Sequence, residues 1–178
     1  MSWSFTWQEV LDARACAAGR DRWLESHPET TPETVLSVAE VLENNGLDDA
    51  LWCLQQLVKG KDNELRLFAV TCARRVQHLL TDECSVMALG AAESFARGEG
   101  TAGDLAVWAA AAEAAAACAA RGTSWAAEAA AWVAAEATAC DTVWAASLNS
   151  ARAAARAAGA AWNAEREYQT KLLKEMTK

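Results

Sequence analysis

Apolar residues recur at intervals of three and four along the first hundred residues, the pattern of helices that bury one face. The clearest case is ELRLFAVTCARRVQHLL at residues 64–80, for which Asp62 or Asn63 is the expected cap. Its predicted buried residues are Leu65, Phe68, Ala69, Cys72, Val76 and Leu79. No stretch sustains an alternation of apolar and polar residues, so we predict no sheet.

Capping residues predict where the first helices begin and end. Thr6 with Glu9 reads as a capping box, and this helix is expected to end near Gly19, with a short turn at 21–26. The tripeptide at 31–33 places a threonine cap, a proline and an acid in the order that opens a helix. That helix is predicted to end at 44–46, with an inward face of Val35, Leu36, Val38, Ala39 and Leu42.

Two further helices complete the predicted N-terminal lobe. One begins at Asp48 and ends at Gly60, and the other begins at 81–82, runs to about Arg97 and is ended by Gly98. The lobe therefore has about five helices.

Alanine dominates the chain after residue 100. Between residues 106 and 161, 30 of the 56 residues are alanine, the strongest helix former, and the tract contains no proline. Thr101 with Asp104 forms a cap, and breaks near 122–124 and 148–150 favour helices at 102–121, 124–148 and 150–176. A single helix after residue 124 is the alternative. The residues expected to hold these slender helices together are Trp108, Trp125, Trp132, Trp144 and Trp162.

These patterns predict an all-α protein. An acidic N-terminal helical lobe is expected at residues 1–100, and an Ala/Trp-rich region of long helices, packed as a bundle or hairpin, at 101–178. We expect the two regions to form one structural unit.

The distribution of charged residues suggests a class of partner. The formal net charge is −8, with 24 acids against 16 bases, which argues against direct binding of nucleic acid. Residues 25–58 hold seven carboxylates and no lysine or arginine. An acidic face of this kind can occupy a basic groove that normally holds nucleic acid. The alternative is a solvated face that only keeps the protein soluble. The candidate partner-binding residues are Glu25, Glu29, Glu33, Glu40, Glu43, Asp48 and Asp49.

No catalytic, cofactor or metal site is predicted. The six cysteines lie far apart, and none has metal-ligand spacing with another cysteine or a histidine. No signal peptide opens the chain, so we expect a cytoplasmic protein with reduced cysteines that act as small core residues. Charged residues interrupt the alanine tract too often for a membrane span.

Three features that resemble functional motifs have simpler explanations. The segment 98–103 matches GxGxxG, but a helix precedes it and two acids would repel a phosphate, so we interpret it as a helix-ending loop. His78 has no nucleophile or orienting group at a known position and is expected at or near the surface. Arg74 and Arg75 are either a binding patch or, the preferred interpretation, partners of the acidic N-terminal helices.

The residues from Asp49 to Leu54, the helix ELRLFAVTCARRVQHLLTDE, the segment AESFARGEGT and the tryptophan-punctuated alanine tract resemble a helical family. The family occurs in phage, actinobacterial and planctomycete proteins, some described as immunity proteins of toxin systems. The resemblance covers residues 48–170, and the RLFAV-CARR helix and ARGE turn are its most specific parts. It implies a non-enzymatic inhibitor that neutralises a toxin or, in a phage, a host defence complex such as a CRISPR effector.

The leading hypothesis is therefore a blocking protein that binds a basic, nucleic-acid-binding protein, without direct contact with nucleic acid or membrane. The alternative is a structural or assembly protein that self-associates through its Ala/Trp helices into a homo-oligomer. Ice binding is disfavoured because the threonines do not repeat every eleven residues, and no catalytic motif supports an enzyme. β-Strands in the first hundred residues, or an internal cation beside each of those carboxylates, would overturn the leading hypothesis.

Overall fold

The structure is a computed structural model that describes residues 3–75, 77–79, 83–107 and 162–178. The helices that it describes dominate these residues, which confirms the predicted all-α class. In chain order the elements are β1 (Ser4–Thr6), α1 (Trp7–Asp12), α2 (Ala17–Ser26), β2 (Val35–Ser37), α3 (Val38–Asn44), α4 (Leu47–Gln56), α5 (Asp62–Arg75), a 3-10 turn (Gln77–Leu79), α6 (Glu83–Ala96) and α7 (Trp162–Met176). Residues 102–107 are also helical.

Two compact units divide the chain. The first is Met1–Lys61 together with Thr170–Lys178, and the second is Asp62–Gln169. The predicted boundary near residue 100 lies inside the second unit. Most of the predicted alanine-rich helices, with Trp108, Trp125, Trp132 and Trp144, lie outside the described residues, so their packing stays a prediction.

A short antiparallel ribbon shows that the prediction of no sheet was wrong. β1 pairs with β2 in the register Ser4↔Ser37, Phe5↔Leu36 and Thr6↔Val35. Each strand has only three residues, too few for a sustained alternation, yet each buries its central side chain, Phe5 or Leu36. The ribbon meets one of the two conditions that would overturn the leading hypothesis as stated, so a binding function has to rest on the environment of the carboxylates and not on an all-helical N-terminal lobe.

Each strand of the ribbon leads directly into a helix through the same capping box. At Thr6, the Glu9 carboxylate accepts from the Thr6 amide at 2.8 Å while Thr6 Oγ1 accepts from the Glu9 amide at 3.3 Å. Ser37 and Glu40 repeat this exchange at 2.7 and 3.2 Å. The first box was predicted and is confirmed, and the second was missed.

The helix predicted to begin at Thr31-Pro32-Glu33 does not form. Thr34 closes a turn instead, since its amide donates to the Thr31 carbonyl at 3.0 Å and its Oγ1 accepts from the Thr31 amide at 2.8 Å. The chain then extends as β2, and α3 begins only after Ser37. As a result Val35, predicted to face inward, is 64% exposed, whereas the other large members of the predicted face, Leu36, Val38 and Leu42, are buried.

Two other helix boundaries differ from the prediction because of the backbone conformation there. α1 ends at Asp12, well before Gly19, because Arg14 adopts a left-handed φ of 56° and the amides of Arg14 and Ala15 close a Schellman motif on the preceding carbonyls. α4 is capped by Gly46, at φ 91° and ψ −179°, and not by Asp48. This glycine-only conformation reverses the chain within two residues, between α3 and α4.

In the second unit the predicted helix ends were closer. α6 ends just before Gly98, as predicted, and the structure shows that the end is a Schellman motif, with Gly98 at φ 77° and the Glu99 amide donating to the Ser94 carbonyl at 2.8 Å. The predicted cap at Thr101 is confirmed by the Asp104 amide, which donates to Thr101 Oγ1 at 3.1 Å. α5 stops at Arg75, earlier than predicted, and a 3-10 turn follows.

Each unit has its own buried side chains. In the first, the largest fully buried groups are contributed by β2, α3, α4, the residues just after α4, and α7, with Trp7 and Trp23 also buried. In the second, α5 packs against α6, and the buried face of α6 consists mainly of small residues, which lets two helices approach closely. On α5 the buried positions include Leu65, Phe68, Ala69 and Cys72, as predicted.

Candidate functional site

The seven candidate carboxylates do not share one environment. All of them are exposed except Asp49, which is half-buried. Four of the seven, Glu40, Glu43, Asp48 and Asp49, lie on α3 and α4, whereas Glu25 ends α2 and Glu29 and Glu33 follow it. What each carboxylate contacts decides whether it is available to a partner.

Asp49 is part of an internal hydrogen-bond network. Its Oδ2 accepts from Arg22 Nη1 at 3.0 Å and from Asn45 Nδ2 at 2.8 Å. Asn45 Nδ2 also donates to the Gly19 carbonyl at 2.7 Å, and a Cβ on Gly19 would come within 3.1 Å of Asp49 Oδ2. Asp49 therefore joins α2 to the turn between α3 and α4, and its role in the fold is structural.

Glu40 also has a structural role, because its carboxylate completes the capping box with Ser37. Glu43 lies 3.7 Å from Lys174 Nζ, and both side chains are largely exposed, so this pair contributes little to stability. Asp48 lies in the first turn of α4, where a carboxylate is favoured by the helix dipole. Among the described residues Asp49 and Glu43 have a cation partner, whereas Glu25, Glu29 and Glu33 have none, so the condition that each of the seven would have one is not met there.

Glu25, Glu29 and Glu33, named here the acidic segment, are different. All three are exposed, and no hydrogen bond or ion pair reaches their side chains from any residue that the structure describes. They recur every four residues over a stretch of nine. Three negative charges are therefore exposed to solvent, and no cation among the described residues pairs with them.

The backbone that carries the acidic segment is held in place by a buried anchor. Trp23 is buried, its indole stacks on the His27 ring with a centroid distance of 4.0 Å, and its Nε1 donates to Thr30 Oγ1 at 3.0 Å. Further along, the Pro32 carbonyl accepts from the Gln8 amide at 2.9 Å. These contacts fix the loop, so the carboxylates are presented from an ordered surface.

Helix ends strengthen the negative potential of the first unit. The last carbonyl groups of a helix carry partial negative charge, which favours lysine or arginine in the last turn. None of α1, α2, α3 and α4 has a base there, and Glu25 and Glu43 occupy the last turns of α2 and α3. These two carboxylates lie where their charge is unfavourable for the fold, so folding stability does not account for their presence.

The arginine pair of α5 does not contact the acidic N-terminal helices, so the preferred interpretation was wrong. Arg74 donates to Gln77 Oε1 at 2.7 Å and to Glu93 Oε2 at 3.2 Å. Arg75 Nε donates to Glu165 Oε2 at 2.6 Å, and its guanidinium lies over the Tyr168 ring at 4.0 Å. Both arginines therefore have acidic partners within the second unit, which also weakens the interpretation of the pair as a free binding patch.

The contact of Arg75 with α7 is a polar cluster that sequence reasoning missed. The Glu165 side chain is only 3% exposed, and its second oxygen accepts from Gln169 Nε2 at 3.1 Å. The hydrogen bond from Arg75 to this carboxylate raises the pKa of Arg75 above its ordinary value. The cluster fixes α7 on α5, but 90 residues separate Arg75 from Glu165, and no local pattern signals such a pair.

Cysteine environments agree only in part with the prediction that the thiols act as core residues. Cys53 and Cys72 are buried and free, and burial raises the pKa of the Cys53 thiol to about 12, with the nearby Asp49 carboxylate adding to the shift. Burial also raises the pKa of Cys72. Cys16 is instead exposed and caps α2, its Sγ accepting from the Gly19 amide at 3.3 Å, and Cys84 is exposed as well. Cys118 and Cys140 lie outside the described residues.

No reactive centre emerges from the remaining candidates. His78 lies exposed on the 3-10 turn, and the GxGxxG match at 98–103 is the Schellman loop that ends α6. Among the described residues, no group of three or more His, Cys, Asp or Glu side chains is arranged to hold a metal ion. Within the same residues, no helix has both the length and the apolar character needed to cross a bilayer.

Comparisons of the chain with models of known protein families, with curated proteins and with solved structures gave no match. The resemblance to the immunity-protein family therefore stays a hypothesis that rests on the quoted motifs.

Proposed function

We propose that this chain is a non-enzymatic binding protein that blocks a basic, nucleic-acid-binding protein such as a toxin or a host defence complex. The observation that carries the proposal is the acidic segment, whose three exposed carboxylates lie at the end of α2 and in the loop after it and have no partner among the described residues. The proposal is narrower than the sequence-based one, because Asp49 and Glu40 are used within the fold and Glu43 is paired with Lys174.

Electrostatics supports the acidic segment as the contact surface. Uncompensated charge of one sign on a surface attracts a partner of opposite sign and accelerates encounter. Glu25 adds its charge to the carbonyl end of α2, where no base opposes it. A basic groove that normally holds phosphates offers the matching charge, so occupation of the groove would exclude nucleic acid.

The test compares two triple variants that remove the same charge. E25Q/E29Q/E33Q neutralises the acidic segment, and E99Q/E167Q/E175Q neutralises three exposed carboxylates elsewhere. Immobilised wild-type protein and both variants are exposed to a bacterial lysate at low and high salt, and retained proteins are identified by mass spectrometry. The retained partner is then purified, its affinity is measured, and its nucleic-acid binding is followed by fluorescence anisotropy as each form is added.

We expect wild type and the control variant to bind one basic partner in a salt-sensitive manner and to displace its nucleic acid. E25Q/E29Q/E33Q should bind at least about tenfold more weakly, since three surface ion pairs are lost. Equal loss in both variants would mean that net charge matters and the acidic segment does not. If no salt-sensitive partner is retained, or if the nucleic acid stays bound to the captured partner, the proposal is wrong.

A further inference from the structure

The outer edge of β2 has backbone groups that the ribbon does not use. The Trp7 amide donates to the Thr34 carbonyl and the Val38 amide to the Trp3 carbonyl, both at 2.8 Å. In an antiparallel ladder, hydrogen-bonded pairs alternate with pairs that exchange no bonds. Phe5↔Leu36 is therefore a bonded pair and Thr6↔Val35 is not, so the amide and carbonyl of Val35 point away from β1.

Val35 itself has the character of a binding residue. It is a β-branched apolar residue with 64% of its surface exposed, whereas the next residue, Leu36, is buried and anchors the strand. β-Branched residues are favoured in strands because they pack against cross-strand neighbours. Val35 has β1 on one side only, so its outer side is open to a further strand.

Negative charge lies at both ends of this edge. The Ser37 amide also points outward, because Ser4↔Ser37 is the other pair of the ribbon that exchanges no hydrogen bonds. It donates to the Glu40 carboxylate at 2.7 Å. The carboxylate of Glu40 therefore lies along the same edge as the free groups of Val35, about 7 Å further along the strand. Glu33, which is exposed, lies in the turn at 31–34 that leads into β2, two residues before Val35.

We propose that the edge of β2 accepts an extended basic segment of a partner protein as an added strand. The added segment places an apolar residue opposite Val35, and its amide and carbonyl bond with those of Val35. Basic residues two positions to either side meet Glu33 and Glu40. The inference rests on the proposed function and deepens it, because it gives the partner's contacting segment the pattern basic–x–apolar–x–basic.

A second copy of this chain is a poorer occupant of the same edge. Antiparallel pairing of two β2 strands about Val35 would place Glu33 of each copy beside Ser37 and the Glu40 carboxylate of the other. Like charges placed opposite each other in a sheet are destabilising. A basic strand would instead place positive charges opposite these carboxylates.

The test uses the acetylated and amidated peptide TKTVTKT as the probe, titrated into isotopically labelled protein and followed by NMR. A first control peptide, TETVTET, reverses the charge. A second carries an N-methyl group on its valine, which keeps the charge and removes the amide that bonds to the Val35 carbonyl. We expect TKTVTKT to shift the signals of Val35 and its neighbours and to slow hydrogen exchange of the Val35 amide, and both control peptides to bind at least about fivefold more weakly.

Protein variants test the same edge from the other side. Val35→Pro removes the outward amide, and because that amide takes no part in the β1–β2 ladder, proline is tolerated there as on other strand edges. Its matched control, Val35→Thr, keeps the amide and the β-branch. Val35→Pro should weaken TKTVTKT at least about fivefold, whereas Val35→Thr should stay within about twofold. If Val35→Pro does not fold, the N-methyl peptide still decides the matter with the wild-type protein.

The outcomes separate this inference from the proposed function. Equal binding of the N-methyl peptide and TKTVTKT, or no binding of TKTVTKT to wild type, would overturn strand addition and leave the lysate experiment on the acidic segment unaffected. E33Q should weaken the peptide more than E25Q, because Glu25 is not at this edge; the reverse order would also overturn it. A wild-type dimer in sedimentation velocity that Val35→Pro abolishes would assign the edge to a second copy and refute the basic segment.

Discussion

Replacement of Asp49 by alanine tests whether this carboxylate is structural, as its contacts indicate, or part of the binding surface. The change removes three favourable terms. The ion pair with Arg22, whose side chain is 50% exposed, is worth about 0.5 kcal/mol after solvent screening. The part-buried hydrogen bond from Asn45 is worth about 1 kcal/mol, and a carboxylate in the first turn of α4 about 0.5 kcal/mol. Together they predict a loss of about 2 kcal/mol in the free energy of unfolding.

Urea denaturation followed by tryptophan fluorescence and by circular dichroism measures this loss. Thermal unfolding should show a melting temperature lowered by roughly 4–8 °C for a chain of this length. Asp49→Asn, which keeps the shape and one acceptor oxygen, should lose about half as much free energy. The matched control is Glu25→Gln, for which we expect a gain of about 0.3 kcal/mol, because it removes a negative charge from the carbonyl end of α2.

The two variants should therefore change stability in opposite directions although each removes one carboxylate. A loss below about 0.5 kcal/mol for Asp49→Ala would mean that the network contributes little and that its hydrogen bonds are exchanged with water at no cost. A loss above about 0.5 kcal/mol for Glu25→Gln would mean that Glu25 has a partner in the fold, and the argument for the acidic segment would fail.

Four further predictions concern the backbone and the cysteines. Gly46→Ala should cost about 1–3 kcal/mol in urea denaturation through backbone strain alone, since its Cβ would meet open space; a neutral result would mean that the turn relaxes. Arg14→Gly should stabilise by about 0.5 kcal/mol, because relief of the left-handed conformation exceeds the added entropy of the unfolded chain, and a loss would contradict this account of the Schellman motif. Alkylation of the native protein, mapped by mass spectrometry, should modify Cys16 at pH 8 and spare Cys53. Burial raises the pKa of the Cys53 thiol from 9.0 to about 12. Its contribution to the free energy of unfolding is therefore fully present below pH 9 and is lost as pH rises toward 12. Above pH 9 the free energy of unfolding should fall less steeply with pH in a C53A variant than in wild type.

Local signals account for most of what the sequence predicted correctly. The capping boxes at Thr6 and Thr101 and the Schellman motif at Gly98 each involve residues within about five positions, so the pattern contains all of the interacting groups. The buried face of α5 was also predicted, because a long helix repeats its apolar positions often enough to fix its orientation.

Competition between local signals, and pairing over long distances, account for the errors. The 31–33 tripeptide and the Ser37–Glu40 pair both have the pattern of a helix start. The helix begins at the second of them, because this leaves Leu36 in a strand that pairs with Phe5, 31 positions away. Likewise, the count of bases between residues 25 and 58 missed the cation of Asp49, because Arg22 lies just outside that stretch. A charge count along the chain does not reveal which carboxylates are neutralised in space.

The direction of the helix beside each carboxylate gives a better guide than the count. Glu9 and Asp49 lie at helix starts, where free amides favour a negative charge, and the fold alone explains them. Glu40 also lies at a helix start, but its carboxylate is in addition placed along the open edge of β2. Glu25 lies at a helix end, where carbonyl groups oppose a negative charge, so the fold would be more stable without its charge, whereas the same cost at Glu43 is offset by its ion pair with Lys174. Because a single mutation to glutamine or lysine would relieve that cost, a carboxylate at a helix end is a stronger candidate for binding than one at a helix start. By this reasoning the functional part of the acidic surface lies around the end of α2 and continues through the loop to the open edge of β2, where Glu40 lies, and it excludes Glu9 and Asp49.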